Sequence, residues 1–201
     1  MPTTINSQKK PDTALLAVFS SSARVVVLRL FMLDPLRAYY QRQIESATGL
    51  PIRAVQREVD RLAASGLLYR RAEGNRVYYQ VDMQCPLFPE FRGLFLKTAN
   101  EEERARGMLA LDESVRLAFL NPAENKLLVV TSSGRPPTAS LPGYSMEVMS
   151  VDEFMRQIAE HAPSLDVYLV DGVDLLGRRE DVIWRRIEAA GYEVRKGQGV
   201  P

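Results

Sequence analysis

Cysteine and histidine are almost absent: the 201-residue chain has one of each, Cys85 and His161. A lone cysteine closes no internal disulfide, and the pair supplies too few ligands for a zinc site. Disulfide-stapled scaffolds and zinc-cluster domains are therefore excluded. Cys85 reads as a small packed residue near a domain junction. His161, just before Ala162 and Pro163, reads as a solvated helix-end residue rather than a catalytic base. Long apolar runs are missing too. Val25-Val26-Val27-Leu28 is interrupted by Arg29, far short of the roughly 20 residues that a membrane-spanning helix needs. Residues 1–11 are polar, carry Lys9 and Lys10, and show no apolar segment ahead of a cleavage site, so residues 1–12 read as a flexible tail. A cytoplasmic setting is the expectation, with no metal or cofactor.

Lysine is also absent between residues 20 and 80, where arginine occurs ten times against five acids, a net charge of +5. Residues 101–201 carry twelve bases against seventeen acids, a net −5. The near-neutral total of +1 conceals one half suited to a polyanion and one half that is not.

Helical spacing of apolar residues, with its stop signals, orders the basic half. Helices are predicted over residues 14–19 and from 22 to 32 or 33, the second capped by Ser22 and ended by Asp34-Pro35. A third is predicted over 37–48 with Tyr40, Ile44 and Ala47 inward, closed by Gly49. Pro51 suits the first turn of a fourth helix over 52–65. That helix buries Val55, Val59 and Leu62 and stops at Gly66, with Leu67 folding back. A hairpin follows, bending at Glu73-Gly74-Asn75, with Val77, Tyr79 and Val81 on one face and Arg76, Tyr78 and Gln80 on the other. Helix, glycine turn, helix, arginine-bearing hairpin is the outline of a winged helix-turn-helix, assigned to residues 13–84. Such an arrangement lays a helix in a DNA major groove and a hairpin on the flanking backbone.

With Val55, Val59 and Leu62 inward, Arg53, Gln56 and Arg57 fall on the opposite face of the predicted helix. Arginine donates two hydrogen bonds to guanine and glutamine pairs with adenine, so these are the candidate base contacts. Arg42, Arg61, Arg70, Arg71 and Arg76 are the candidate backbone contacts. A row of arginines opposite an apolar stripe is also the ordinary solvated face of a helix. The charge and the order of elements together favour DNA binding.

The same region carries a family resemblance. Ser22-Ala23-Arg24-Val25, Ile44-Glu45-Ser46-Ala47-Thr48-Gly49-Leu50, Val55-Gln56-Arg57-Glu58-Val59-Asp60-Arg61-Leu62, Ser65-Gly66-Leu67-Leu68 and Gly74-Asn75-Arg76-Val77-Tyr78-Tyr79 lie in order. Residues 21–98 thereby resemble the ArsR-type winged-helix regulators of bacteria and archaea. The resemblance implies a homodimeric transcription regulator on a palindromic operator of double-stranded DNA. A small-molecule effector of unknown identity is a further candidate partner. Metal sensing through cysteine pairs, common among ArsR relatives, does not carry over to a chain with Cys85 alone.

Beyond Cys85-Pro86, residues 85–110 are assigned to a linker or dimerisation helix, continuous over 89–108 with Phe91, Leu94, Phe95 and Thr98 on one side. Residues 111–196 alternate strand and helix signals. Strands are predicted at 115–120, 127–131, 146–149 and 167–170, with an edge strand at 192–194. Helices are predicted at 152–160 and 180–190, and a proline-rich loop at 134–143. The fold class is α+β: a mainly helical N-terminal domain with a hairpin wing, then a small α/β domain and a tail at 197–201.

The second domain is weakly similar to small nucleotidyltransferases, and the whole resembles the ArsR subgroup fused to such a domain. That family follows its leading strand with a Gly-Ser turn and two carboxylates one residue apart, which hold magnesium. Here Val115-Arg116-Leu117-Ala118-Phe119-Leu120 runs into Asn121-Pro122-Ala123-Glu124-Asn125, and Leu127-Leu128-Val129-Val130 carries no acid. A non-catalytic domain is the expectation. Two alternatives stay open: an enzyme whose acids lie at unrecognised positions, or a winged-helix protein-interaction module. Asp171 and Asp174, three apart in Asp171-Gly172-Val173-Asp174, read as turn residues rather than as a metal site. Ser132-Ser133-Gly134-Arg135 is either an anion-binding loop or an ordinary polar one.

Overall fold

The computed structural model describes residues 11–197 and residue 200, with side chains from Thr13 onward. The predicted tails lie mostly outside these residues. Where they do not, both are corrected: Pro11 opens a helix, and Gly197 donates to the Asp174 carbonyl. The chain is mixed α and β and divides into two compact units: Met1–Met32 with Tyr39–Ala99, and Leu33–Ala38 with Asn100–Pro201. Among the described residues no single helix is long and apolar enough to cross a membrane.

The first unit runs α1 (Pro11–Phe19), α2 (Ser22–Leu33), β1 (Tyr39–Tyr40), α3 (Gln41–Thr48), α4 (Ile52–Ala64), β2 (Leu68–Glu73), β3 (Arg76–Val81) and α5 (Phe88–Thr98). Three spacings make its core. Val25, Leu28 and Met32 come from α2, Val55, Val59 and Leu62 from α4, and Tyr79 and Val81 from β3. Ser21 rather than Ser22 caps α2, accepting from the Arg24 amide through its hydroxyl. The predicted helix over 37–48 is shorter than expected. Tyr39 and Tyr40 instead form a strand opposite Tyr79 and Tyr78, and helix starts only at Gln41. Paired aromatics gain cross-strand packing that a helix would not give them.

Gly49 sits at φ +69° and donates to the Glu45 carbonyl, the left-handed cap that turns α3 towards α4. Pro51 precedes α4 rather than joining it, and its carbonyl accepts from Ala54 and Val55. After Gly66 the Leu67 amide reaches back to the Leu62 carbonyl and the Leu67 side chain is buried.

The predicted single helix over 89–108 is two helices. α5 ends at Thr98, and α6 (Glu101–Leu109) starts after Asn100, whose side chain accepts from the Glu103 amide while Glu103 accepts from the Asn100 amide. That reciprocal cap ends one helix and starts another. α5 belongs to the first unit through Phe88 and Phe95, and α6 to the second through Ala105 and Leu109.

The second unit continues with β4 (Val115–Asn121), β5 (Lys126–Thr131), β6 (Ser145–Ser150), α7 (Val151–Ala159), α8 (Asp166–Leu169), β7 (Val173–Asp174), α9 (Val182–Ala189) and β8 (Arg195–Lys196). The sheet order is β6-β5-β4-β7-β8, parallel at β5–β6 and β7–β8 and antiparallel at the two central pairings. Successive side chains of β4 and β5 serve opposite faces. Leu117, Phe119, Leu128 and Val130 pack with α7, α8 and α9, whereas Ala118, Leu120, Leu127 and Val129 pack with α6, Leu175 and Leu176. A sheet covered on both faces needs continuously apolar strands. The predicted strand at 167–170 is helical over its first three residues: a 3-10 turn over Pro163–Leu165 leads into α8, which buries Tyr168 and Leu169, and Val170 follows it exposed. A four-residue apolar run fits a buried helix as well as a strand. The edge strand falls at 195–196, not 192–194.

Candidate nucleic-acid interface

On α4 the apolar spacing divides the helix. Val55 and Val59 are fully buried, while Arg53, Gln56 and Arg57 are exposed on the other side. Those three candidate base contacts occupy the first two turns of α4. Arg42 is exposed on α3, the preceding helix.

Strand register sorts the hairpin arginines. Arg71 stands opposite Tyr78 and Glu73 opposite Arg76, so Arg71 and Arg76 share one face. Arg70 stands opposite Tyr79, on the other face, with its own side chain exposed. Sequence reasoning grouped Arg70, Arg71 and Arg76, but the pleat separates the first from the other two. Arg71 is ion-paired with Glu73 at 3.1 Å on the surface.

Arg76 is the more organised cation. Its guanidinium lies over the Tyr40 ring, 4.8 Å from the centroid, and Tyr40 meets Tyr78 edge-on at 5.8 Å. A hydrogen bond with Tyr78 raises the Arg76 pKa above the ordinary arginine value. Tyr40, Arg42, Ile52, Asn75 and Arg76 line a hollow of about 490 Å³ between the starts of α3 and α4 and the hairpin tip. The hollow brings two candidate backbone contacts together, Arg42 and Arg76, with a half-buried aromatic between strands to hold one of them. Tyr40 and Tyr78 were missed as site residues. The alternation of Arg76, Tyr78 and Gln80 signalled the outer face of β3, but only the pairing of Tyr40 with Tyr78 adds the stacking partner.

Arg61 differs from its prediction. It remains 61% exposed, yet it donates to Glu58 Oε1 at 3.2 Å. Glu58 is buried and also accepts from Arg24 Nε at 3.1 Å, while Arg24 donates to the Phe19 carbonyl. One carboxylate thus ties α4 to α2 and to the end of α1. A buried charge of this kind requires such partners.

The second unit's candidate residues do not converge. Asp174 is fully buried and accepts from the Leu176 and Gly177 amides, with Arg179 Nε at 3.4 Å from its other oxygen. Burial raises its pKa. Asp171 is exposed and its carbonyl accepts from Arg195. Among the described residues no three side chains of histidine, cysteine, aspartate or glutamate stand close enough to hold a metal. Where the Gly-Ser turn was sought, buried Asn121 accepts from the Ala123 and Glu124 amides and donates to the Val167 carbonyl. Ser132-Ser133-Gly134-Arg135 is a turn with no helix behind it, its Ser132 amide bonded to Ser114. His161 ends α7 at φ +50°, exposed, and Cys85 is half-buried in the first unit. No family model, no curated protein and no solved structure matches the chain.

Proposed function

We propose that the chain is a sequence-specific DNA-binding transcription regulator of the ArsR-type winged helix-turn-helix kind, acting as a homodimer on a palindromic operator. The observation that carries this reading is the outward row of Arg53, Gln56 and Arg57 over the first turns of α4, opposite buried Val55 and Val59. α3 and α4 form the helix pair, and the β2–β3 hairpin is the wing. Arg42 and Arg76 flank the row as phosphate contacts. In a symmetric dimer the two α4 helices read half-sites about 34–36 Å apart.

The second unit is read as a non-catalytic domain of nucleotidyltransferase descent that serves association or ligand binding. Supporting this, the side chains of β4 and β5 that pack on the two faces of the sheet are apolar, and neither strand carries a carboxylate.

Selection of bound fragments from random duplexes supplies the operator, and gel-shift titration tests the residues. Arg53→Ala and Arg57→Ala are each expected to cost about 1–3 kcal/mol on the selected site and to relax preference at one position per half-site. Arg76→Ala is expected to weaken all sequences alike and to reduce the salt dependence by about one ion. Unchanged affinity in all three variants defeats the reading.

A further inference from the structure

A second hollow in the first unit lies away from the outward face of α4. It measures about 290 Å³, and its floor is Leu28, Leu62, Leu67 and Phe91, with Arg24 and Arg61 at its edge. Phe19 walls it, stacked on Phe95 at 5.9 Å and edge-on to Phe91 at 5.8 Å. Leu87 lines it while remaining 55% exposed. Among the described residues no acidic one lines it. Among the described residues the two guanidinium groups pair with one carboxylate, Glu58, which is buried beside them. Two cations against one carboxylate leave one positive charge uncompensated at the edge of an apolar cavity. Concave apolar sites with a few convergent polar groups are the usual form of small-molecule pockets.

We propose that this hollow binds an amphipathic monoanion, a carboxylic acid with a medium-length apolar tail. The tail covers Leu28, Leu62, Leu67 and Phe91, and the carboxylate takes hydrogen bonds from Arg24 and Arg61 in competition with Glu58. A single anionic head matches the single uncompensated charge. A neutral ligand leaves it unmet. The same competition loosens the tie between α4 and α2, so occupancy alters the setting of α4. That last consequence rests on the DNA-binding reading; the binding site does not.

The test uses the full chain and its one thiol. Cys85 lines the hollow, so an occupant shields it from alkylation. Octanoate and octan-1-ol are titrated against the rate of N-ethylmaleimide labelling, read by intact mass. Saturable slowing of at least fivefold by octanoate, with little effect of octan-1-ol, is the expected result. Arg24→Gln should raise the half-protecting octanoate concentration at least tenfold. Should that variant fail to fold, Arg61→Gln, altering a mostly exposed side chain, should raise it at least threefold. Equal protection by the alcohol, no protection at all, or unchanged protection in a folded variant overturns the proposal. None of these readouts involves DNA, so the two readings fail separately.

Discussion

Gly172 occupies a position where no side chain fits. A Cβ there would lie 2.3 Å from the Tyr168 carbonyl oxygen and 3.0 Å from that of Leu120. Both obstacles are backbone, one at the end of α8 and one in the central strand β4, so neither yields without moving an element. Gly172→Ala should destabilise the second unit by about 3 kcal/mol, as overpacking does. Urea unfolding followed by the fluorescence of Trp184, the one tryptophan, measures this directly. That ring is buried with Arg179 4.4 Å over it, so its emission reports whether the unit is folded. The sequence showed Asp171-Gly172-Val173-Asp174 only as a turn with two acids. The steric demand on Gly172 comes from residues 4 and 52 positions earlier, and the structural role of Asp174 comes from amides that follow it. Neither pattern has a local sequence signature.

Elements were legible where periodicity is strong and where glycine marks an end. Val55, Val59 and Leu62 face inward on α4 as their spacing demands, and that alone puts Arg53, Gln56 and Arg57 outside. What lay beyond periodicity was partnership: Glu58 buried between Arg24 and Arg61, and Arg76 over Tyr40, are contacts across 34 and 36 residues of chain. The break between α5 and α6 was legible in principle and overlooked, because Asn100 followed three residues later by Glu103 is a capping pattern. The run Glu101-Glu102-Glu103 fills the first turn of α6, where acids favour a helix start. Asn100→Ala should therefore cost about 1 kcal/mol of the second unit's stability, read as a lowered urea midpoint. It should also speed hydrogen exchange at Glu103, whose amide the Asn100 side chain accepts at 2.8 Å. An unchanged exchange rate there would mean that the cap does not hold α6.

At the scale of the whole molecule the sequence suggested domains joined once, around residues 85–110. The chain instead passes between the compact units three times, since Leu33–Ala38 clusters with the second unit although its neighbours on both sides belong to the first. Asp34-Pro35 announced a helix end and nothing more, because the partners of this segment lie some 140 residues away. Arg37 Nη1 donates to the Leu176 carbonyl at 3.0 Å and the Gly177 carbonyl at 2.9 Å, and Nη2 lies 3.3 Å from Glu180. The two carbonyls belong to buried residues, whereas the Glu180 side chain is 67% exposed. Buried acceptors left without a donor are costly, and exposed ion pairs contribute little. Arg37→Ala should thus lower the stability reported by Trp184 by about 2 kcal/mol, while Glu180→Ala should change it by less than about 0.5 kcal/mol. Equal losses in the two variants would assign the attachment of this segment to the ion pair. A loss confined to Arg37→Ala assigns it to the carbonyls, and makes the segment at 33–38 a structural part of the second unit rather than a connector that passes by it.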